Sequence, residues 1–200
     1  MNTNEPLQPP GASRATAPTW PAGDADDKVF RGFLELQRQQ GMALAKQSDV
    51  LRLSPMGGSP PQHYLAEFTC PGVARVRSGE VVISRRSHLV GIFFPRDYLR
   101  RAEASQVLTW LEPVNVYSPH IAPPFICTGR IHPGTLLVDL LFQVYEVILF
   151  YKVTPREDDA LNKAACSWAR KNLARFPLDR TPLKRRTDPS PVPVRQEQSP

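Results

Sequence analysis

The stretch LLVDLLFQVYEVILF, residues 136–150, most limits what this chain can fold into. Asp139, Gln143 and Glu146 recur at spacings of four and three, so a helix here carries one polar stripe on an otherwise apolar surface. Fifteen residues fall short of the roughly 20 needed to cross a bilayer. The stretch is therefore predicted as a mostly buried helix of a folded domain, and the rest of the chain must supply the elements that cover it.

Those elements can be read in order. Asp24, Asp26 and Asp27 stand where a helix N-terminus welcomes negative charge. Phe30, Phe33 and Leu34 then line one side of a first helix predicted to run to about Lys46, despite Gly32 and Gly41. DVLRLSPM, residues 49–56, alternates like a short strand, and 57–61 is a turn. HYLAEFTC, residues 63–70, is the next predicted strand, closed by Pro71-Gly72. Residues 81–98 carry two extended apolar patches, the second at 89–94 and ended by Pro95. VLTWLEPV, residues 107–114, reads as another strand, and 115–134 as irregular. A last helix is predicted from near Thr154, where a capping hydroxyl, Pro155 and Glu157 follow the usual N-terminal pattern. Leu161, Ala165 and Trp168 would form its inner face. A helix, a meander of strands and then two helices make an α+β arrangement, with helices on one side or end of an antiparallel sheet. Strand–helix alternation and glycine-rich phosphate loops are both missing, which argues against nucleotide binding.

The ends differ in composition. Residues 1–25 and 181–200 each carry five prolines among polar residues, with little to bury against chain entropy. The expected division is a disordered tail over 1–25, a domain over 26–175 and a basic, proline-rich disordered tail over 176–200. The formal charge of +6 follows that division. From Arg170 onward there are eight basic and three acidic residues, against seventeen and sixteen in the preceding 169. The domain is nearly neutral, so the basicity argues for no specific nucleic-acid partner. Cys70, Cys127 and Cys166 are odd in number, widely spaced and follow no apolar signal run. They suit a reducing, cytoplasmic setting and lack the close pairing of a zinc site.

Chemistry concentrates in SPHIAPPFICTG, residues 118–129. Cys127 lies seven residues beyond a Ser118-Pro119-His120 turn and shortly before the apolar helix. A loop cysteine is either a nucleophile or a small buried hydrophobe. His120 can donate to an oxyanion, act as a base, or merely fix its turn. His132 is a weaker candidate, with an alternative role in orienting the turn at Pro133-Gly134. Glu157, Asp158 and Asp159 form an acidic run whose bland role is helix capping. Cys70 and Cys166 read as structural.

This segment resembles the active-site segment of the ubiquitin-conjugating enzymes, where a His-Pro-Asn turn precedes an Ile-Cys pair. HLVGIFFPRDYLRR, residues 88–101, is similar to the family's third strand and its Phe-Pro-x-x-Tyr-Pro turn, with Leu99 in place of the second proline. VLTWLEPVNVYSPHI, GRIHPGTLLVDLLFQVYEVIL and TPREDDALNKAACSWARKN look like the segments flanking its active site. The likeness spans roughly residues 28–175. Ser118 and His120 depart from the His and Asn of the family turn, and the interval to Cys127 is one residue shorter than in common eukaryotic members. The resemblance therefore points to a divergent bacterial member with a four-stranded antiparallel meander, whose relatives include antiphage conjugation systems.

It implies that Cys127 carries a ubiquitin-like protein as a thioester. The cargo would come from an ATP-dependent activating enzyme docked on the N-terminal helix around Phe30, Arg31 and Arg38, and would pass to a protein or other amine acceptor. His120 would serve the oxyanion, and Asp158 would position or deprotonate the acceptor amine. The chain needs no cofactor of its own in this scheme. A non-catalytic binding module of the same fold, or a basic-tailed scaffold, is the alternative, favoured by the replaced turn residues.

Overall fold

The computed structural model describes residues 27–154 and 156–185. The first helix, α1 (Lys28–Lys46), starts where Asp27 accepts a hydrogen bond from the Phe30 N–H at 2.9 Å. Asp24 and Asp26 lie outside the described residues. Phe30, Leu34, Gln37, Gly41 and Leu44 form its buried face, and Phe33 packs edge-on against Phe94. Gly41 serves close approach: a Cβ there would lie 2.7 Å from a methyl of Leu137 and 2.9 Å from one of Leu53.

Four antiparallel strands follow, β1 (Leu51–Met56), β2 (His63–Arg75), β3 (Val81–Phe93) and β4 (Leu108–Glu112), paired in sequence order. A one-turn helix, α2 (Ala104–Val107), leads into β4. The apolar helix α3 (Leu137–Ile148) has seven buried residues and packs against both α1 and the sheet. A 3-10 turn at Glu157–Asp159, helix α4 (Lys163–Lys171) and a second 3-10 turn at Leu173–Arg175 follow. The result is an α+β arrangement of N-terminal helix, four-stranded meander and C-terminal helices. It matches the conjugating-enzyme-like fold class in outline.

Three expectations need correction. β2 does not stop at Cys70 but runs on through Pro71-Gly72 to Arg75. Its edge is shared, because Thr69 donates to Val50 beside β1, whereas Tyr117 donates to Val73 and Arg75 to Asn115. Backbone groups on one strand edge recur every second residue, so Pro71 falls in the gap between these two partners and its missing N–H leaves no bond unmade. Gly72 is needed because a Cβ there would collide with the buried His88 ring. The dipeptide that reads as a turn is a strand segment shaped by its neighbours.

The last helix begins at Lys163, not near Thr154. Asn162 is its N-cap, accepting from the Ala165 N–H at 3.0 Å. On its expected inner face Ala165 is buried and Trp168 stacks edge-on with Tyr117 and Phe176, but Leu161 is exposed. The body also extends past residue 175. Leu178 donates to the Leu149 carbonyl, Thr181 accepts from the Tyr145 hydroxyl, and Leu183 is 1% exposed within the main core. The expected disordered tail from 176 is thus not what residues 176–185 form; the remainder of that tail and the N-terminal one lie outside the described residues.

Two stability predictions follow from these contacts. Leu183→Ala, measured by urea unfolding of the full chain, should cost roughly 2–4 kcal/mol, as for other buried leucines. His88 is 1% exposed, its Nε2 lies 3.3 Å from the Cys70 carbonyl, and its Nδ1 has no partner among the described residues. Burial pushes its imidazole down to about 4. The unfolded chain therefore binds the proton first, and stability present above pH 6.5 should fall by about 3 kcal/mol as pH drops towards 4. A urea titration across that range should show the loss, with a shallower slope in His88→Phe.

Candidate functional site

The segment read as irregular contains a small hairpin that sets the site. β5 (Ile121–Ala122) pairs with β6 (Phe125–Ile126) across Pro123-Pro124. The Trp110 N–H of β4 donates to the Pro124 carbonyl at 2.8 Å, which fastens the hairpin to the main sheet. Ile121 and Ile126 point into the core. The approach to the hairpin, residues 115–117, lies along the extension of β2. Tyr98, from the FFPRDY turn, donates to the Thr135 carbonyl at 2.9 Å and holds the exit towards α3.

Cys127 follows β6 directly. It is a free thiol of intermediate exposure, whereas Cys70 and Cys166 are free but fully buried. The Cys127 backbone N–H donates to the His120 carbonyl at 2.8 Å. His120 is tied in turn by Ser118, a buried residue whose hydroxyl accepts the His120 N–H at 3.3 Å. The structure thus joins Ser118, His120 and Cys127 through the backbone. Among the described residues, neither the His120 ring nor Asp158 is hydrogen-bonded to the thiol.

The His120 ring faces the loop between α3 and α4. Its Nε2 lies 3.2 Å and its Nδ1 3.5 Å from Thr154 Oγ1. Burial lowers the affinity of the ring for a proton; hydrogen bonding to the Lys152 backbone opposes this and the Lys152 charge reinforces it. A neutral imidazole at pH 7 can accept or donate one hydrogen bond, but it supplies no positive charge to hold a thiolate.

Asp158 stands apart on the 3-10 turn, with its side chain 84% exposed and 3.3 Å from Lys163 Nζ. An exposed pair of this kind contributes little to stability and leaves the carboxylate free to exchange partners. His132 sits in an exposed turn that Thr135 closes through the His132 backbone. Of the residues singled out by sequence, the structure brings Ser118, His120 and Cys127 together and leaves His132 and Asp158 at the surface.

Sequence reasoning missed Thr154. It is buried, and its hydroxyl is spent on His120 rather than on capping a helix. Its carbonyl accepts from the Cys166 thiol at 3.4 Å. The Asn162 N–H donates to the Pro119 carbonyl at 3.3 Å, a second link between the α4 end of the loop and the Cys127 segment. No local signal marks Thr154, since Thr-Pro-x-Glu is an ordinary helix start.

Among the described residues, no group of three or more His, Cys, Asp or Glu side chains converges as a metal site, and no helix is long and apolar enough to cross a membrane. No family model matches the chain, and no curated protein matches it.

The exposure pattern predicts selective thiol chemistry. Under native conditions a thiol reagent should modify Cys127 first, with Cys70 and Cys166 reacting at least about a hundredfold more slowly because they wait for an opening of the core. Mass spectrometry after brief alkylation, with Cys127→Ala as control, checks this.

Proposed function

We propose that this chain is a thioester carrier that accepts a ubiquitin-like protein at Cys127 and passes it to an amine. The observation that carries this reading is the placement of Cys127: a partly buried residue just past a core-anchored hairpin, within a conjugating-enzyme-like layout, while both other cysteines are sealed inside. In the first step the Cys127 thiolate attacks the carboxyl-terminal carbonyl of the cargo, which arrives as a thioester of the activating enzyme. A new S–C bond forms at Cys127, the old one breaks, and the departing thiolate takes up the proton released by Cys127. In the second step an amine attacks the Cys127 thioester. The C–N bond forms, the C–S bond breaks, and one amine proton ends on sulfur.

The docking face for the activating enzyme would be α1. A cavity of about 520 Å³ at its N-terminal end is lined by Phe30 and Leu34 together with Arg31, Arg96 and Arg100 and with Asp27 and Asp97, so it offers a partner an apolar anchor point among charges of both signs. Arg38 lies on the same helix beside a second hollow with Met42. Asp158, exposed near the start of α4, would receive the acceptor amine after releasing Lys163. Divergent bacterial conjugation, including antiphage systems, is the setting that the sequence resemblance implies.

A second reading is a binding module of the same layout without chemistry. It is favoured by the engagement of the His120 ring with Thr154 rather than with the thiol. One experiment separates the two. The protein, its genomic-neighbour activating enzyme, the ubiquitin-like protein and ATP are combined and resolved on a nonreducing gel. A thiol-sensitive adduct, absent in Cys127→Ala and kept in Cys70→Ala and Cys166→Ala, is the expected result. No adduct alongside a demonstrably charged activating enzyme would establish the binding module instead.

A further inference from the structure

We propose that Thr154 is the positioning residue of the Cys127 site, coupling the α3–α4 loop to the thiol through His120. The coupling runs through three contacts. Thr154 Oγ1 lies 3.2 Å from His120 Nε2, the His120 carbonyl accepts the Cys127 N–H at 2.8 Å, and the His120 N–H is held by Ser118 Oγ at 3.3 Å. Thr154 is itself fixed from behind, because the buried Cys166 thiol donates to its carbonyl. The bond from the ring to the opposite loop restrains the turn that carries the His120 carbonyl, and a turn released from that bond is freer to move. A displaced carbonyl releases the Cys127 amide.

The arrangement gives Cys166 and Thr154 a purpose that burial alone does not. A hydroxyl in a buried loop needs a partner, and many partners would satisfy it. Here the partner is the one side chain whose main chain holds the thiol. The same loop carries Asp158 on its exposed side. The consequence for transfer rests on the thioester-carrier reading; the mechanical coupling does not.

The test uses the full chain as wild type, Thr154→Ser, Thr154→Val, His120→Phe and the Thr154→Val/His120→Phe double variant. Amide exchange at Cys127 is followed by NMR and corrected for global stability from melting curves. Thr154→Val and His120→Phe should each speed exchange by about fivefold or more, and Thr154→Ser should leave it near wild type. The double variant should be no faster than His120→Phe alone, because losing the ring already removes the Thr154 contact together with the bond to the Lys152 backbone. Equal exchange in wild type and Thr154→Val, or additive effects in the double variant, would overturn the coupling. Should Thr154→Val fail to fold, Thr154→Ala, which also lacks the hydroxyl, takes its place.

A second readout uses the charged protein with hydroxylamine as the amine probe. Thr154→Val should lower the maximal discharge rate by about fivefold or more while loading changes less than about twofold, and Thr154→Ser should restore discharge. Unchanged discharge in Thr154→Val would remove Thr154 from the chemistry. If no version of the chain, wild type included, forms a thioester, the carrier reading fails, while the amide exchange still decides the coupling.

Discussion

Helix α3 packs against both α1 and the sheet with Leu137, Leu140, Leu141, Val144, Tyr145, Val147 and Ile148 buried, and both halves of the candidate site hang from its two ends. Each such side chain, fully buried, contributes roughly 1.5–3 kcal/mol. A neutral hydrogen bond such as Thr154 to His120 contributes only about 1 kcal/mol. The scaffold therefore holds the site, not the reverse. The Cys127 loop enters α3 and the Thr154 loop leaves it, so burial of one helix brings together residues far apart in the chain. Even its first turn is capped from outside: Gln37 of α1 accepts the Leu137 N–H at 2.6 Å.

The second constraint is the shared edge of β2. By outrunning β1, this strand offers its free edge to residues 115–117 and so delivers the Ser118-Pro119-His120 turn to the hairpin. Pro71 tolerates the gap and Gly72 makes room for His88. The site thus sits where two backbone systems meet, the meander and the β5–β6 hairpin, with Trp110 bonded across them. This explains why Cys127, unlike the two buried cysteines, is partly exposed yet has its main chain fixed.

Much of this was legible in the chain. The period of α1 and α3, the apolar runs of β1 to β4 and the isolation of Cys127 all follow from local patterns. The end of β2 and the start of α4 were not. Pro-Gly and Thr-Pro-x-Glu have strong local meanings, and both were overridden by partners distant in sequence, His88 in one case and His120 in the other. The boundary at 175 failed for a similar reason. A proline-rich, charged stretch looks unfoldable, yet the main core takes in Leu183.

By itself the sequence determined which residues seek burial, how the helices and strands are spaced, and which cysteine stands in a loop rich in chemistry. Those properties depend on side-chain type and local period, which a linear chain carries in full. Tertiary structure alone decided that His120 turns to Thr154, that Asp158 remains at the surface and that Cys127 is held through a backbone bond. Such contacts depend on where the hairpin and the α3–α4 loop come to rest. That placement is set by the packing of α3 and the shared edge of β2, which no single segment of the chain encodes.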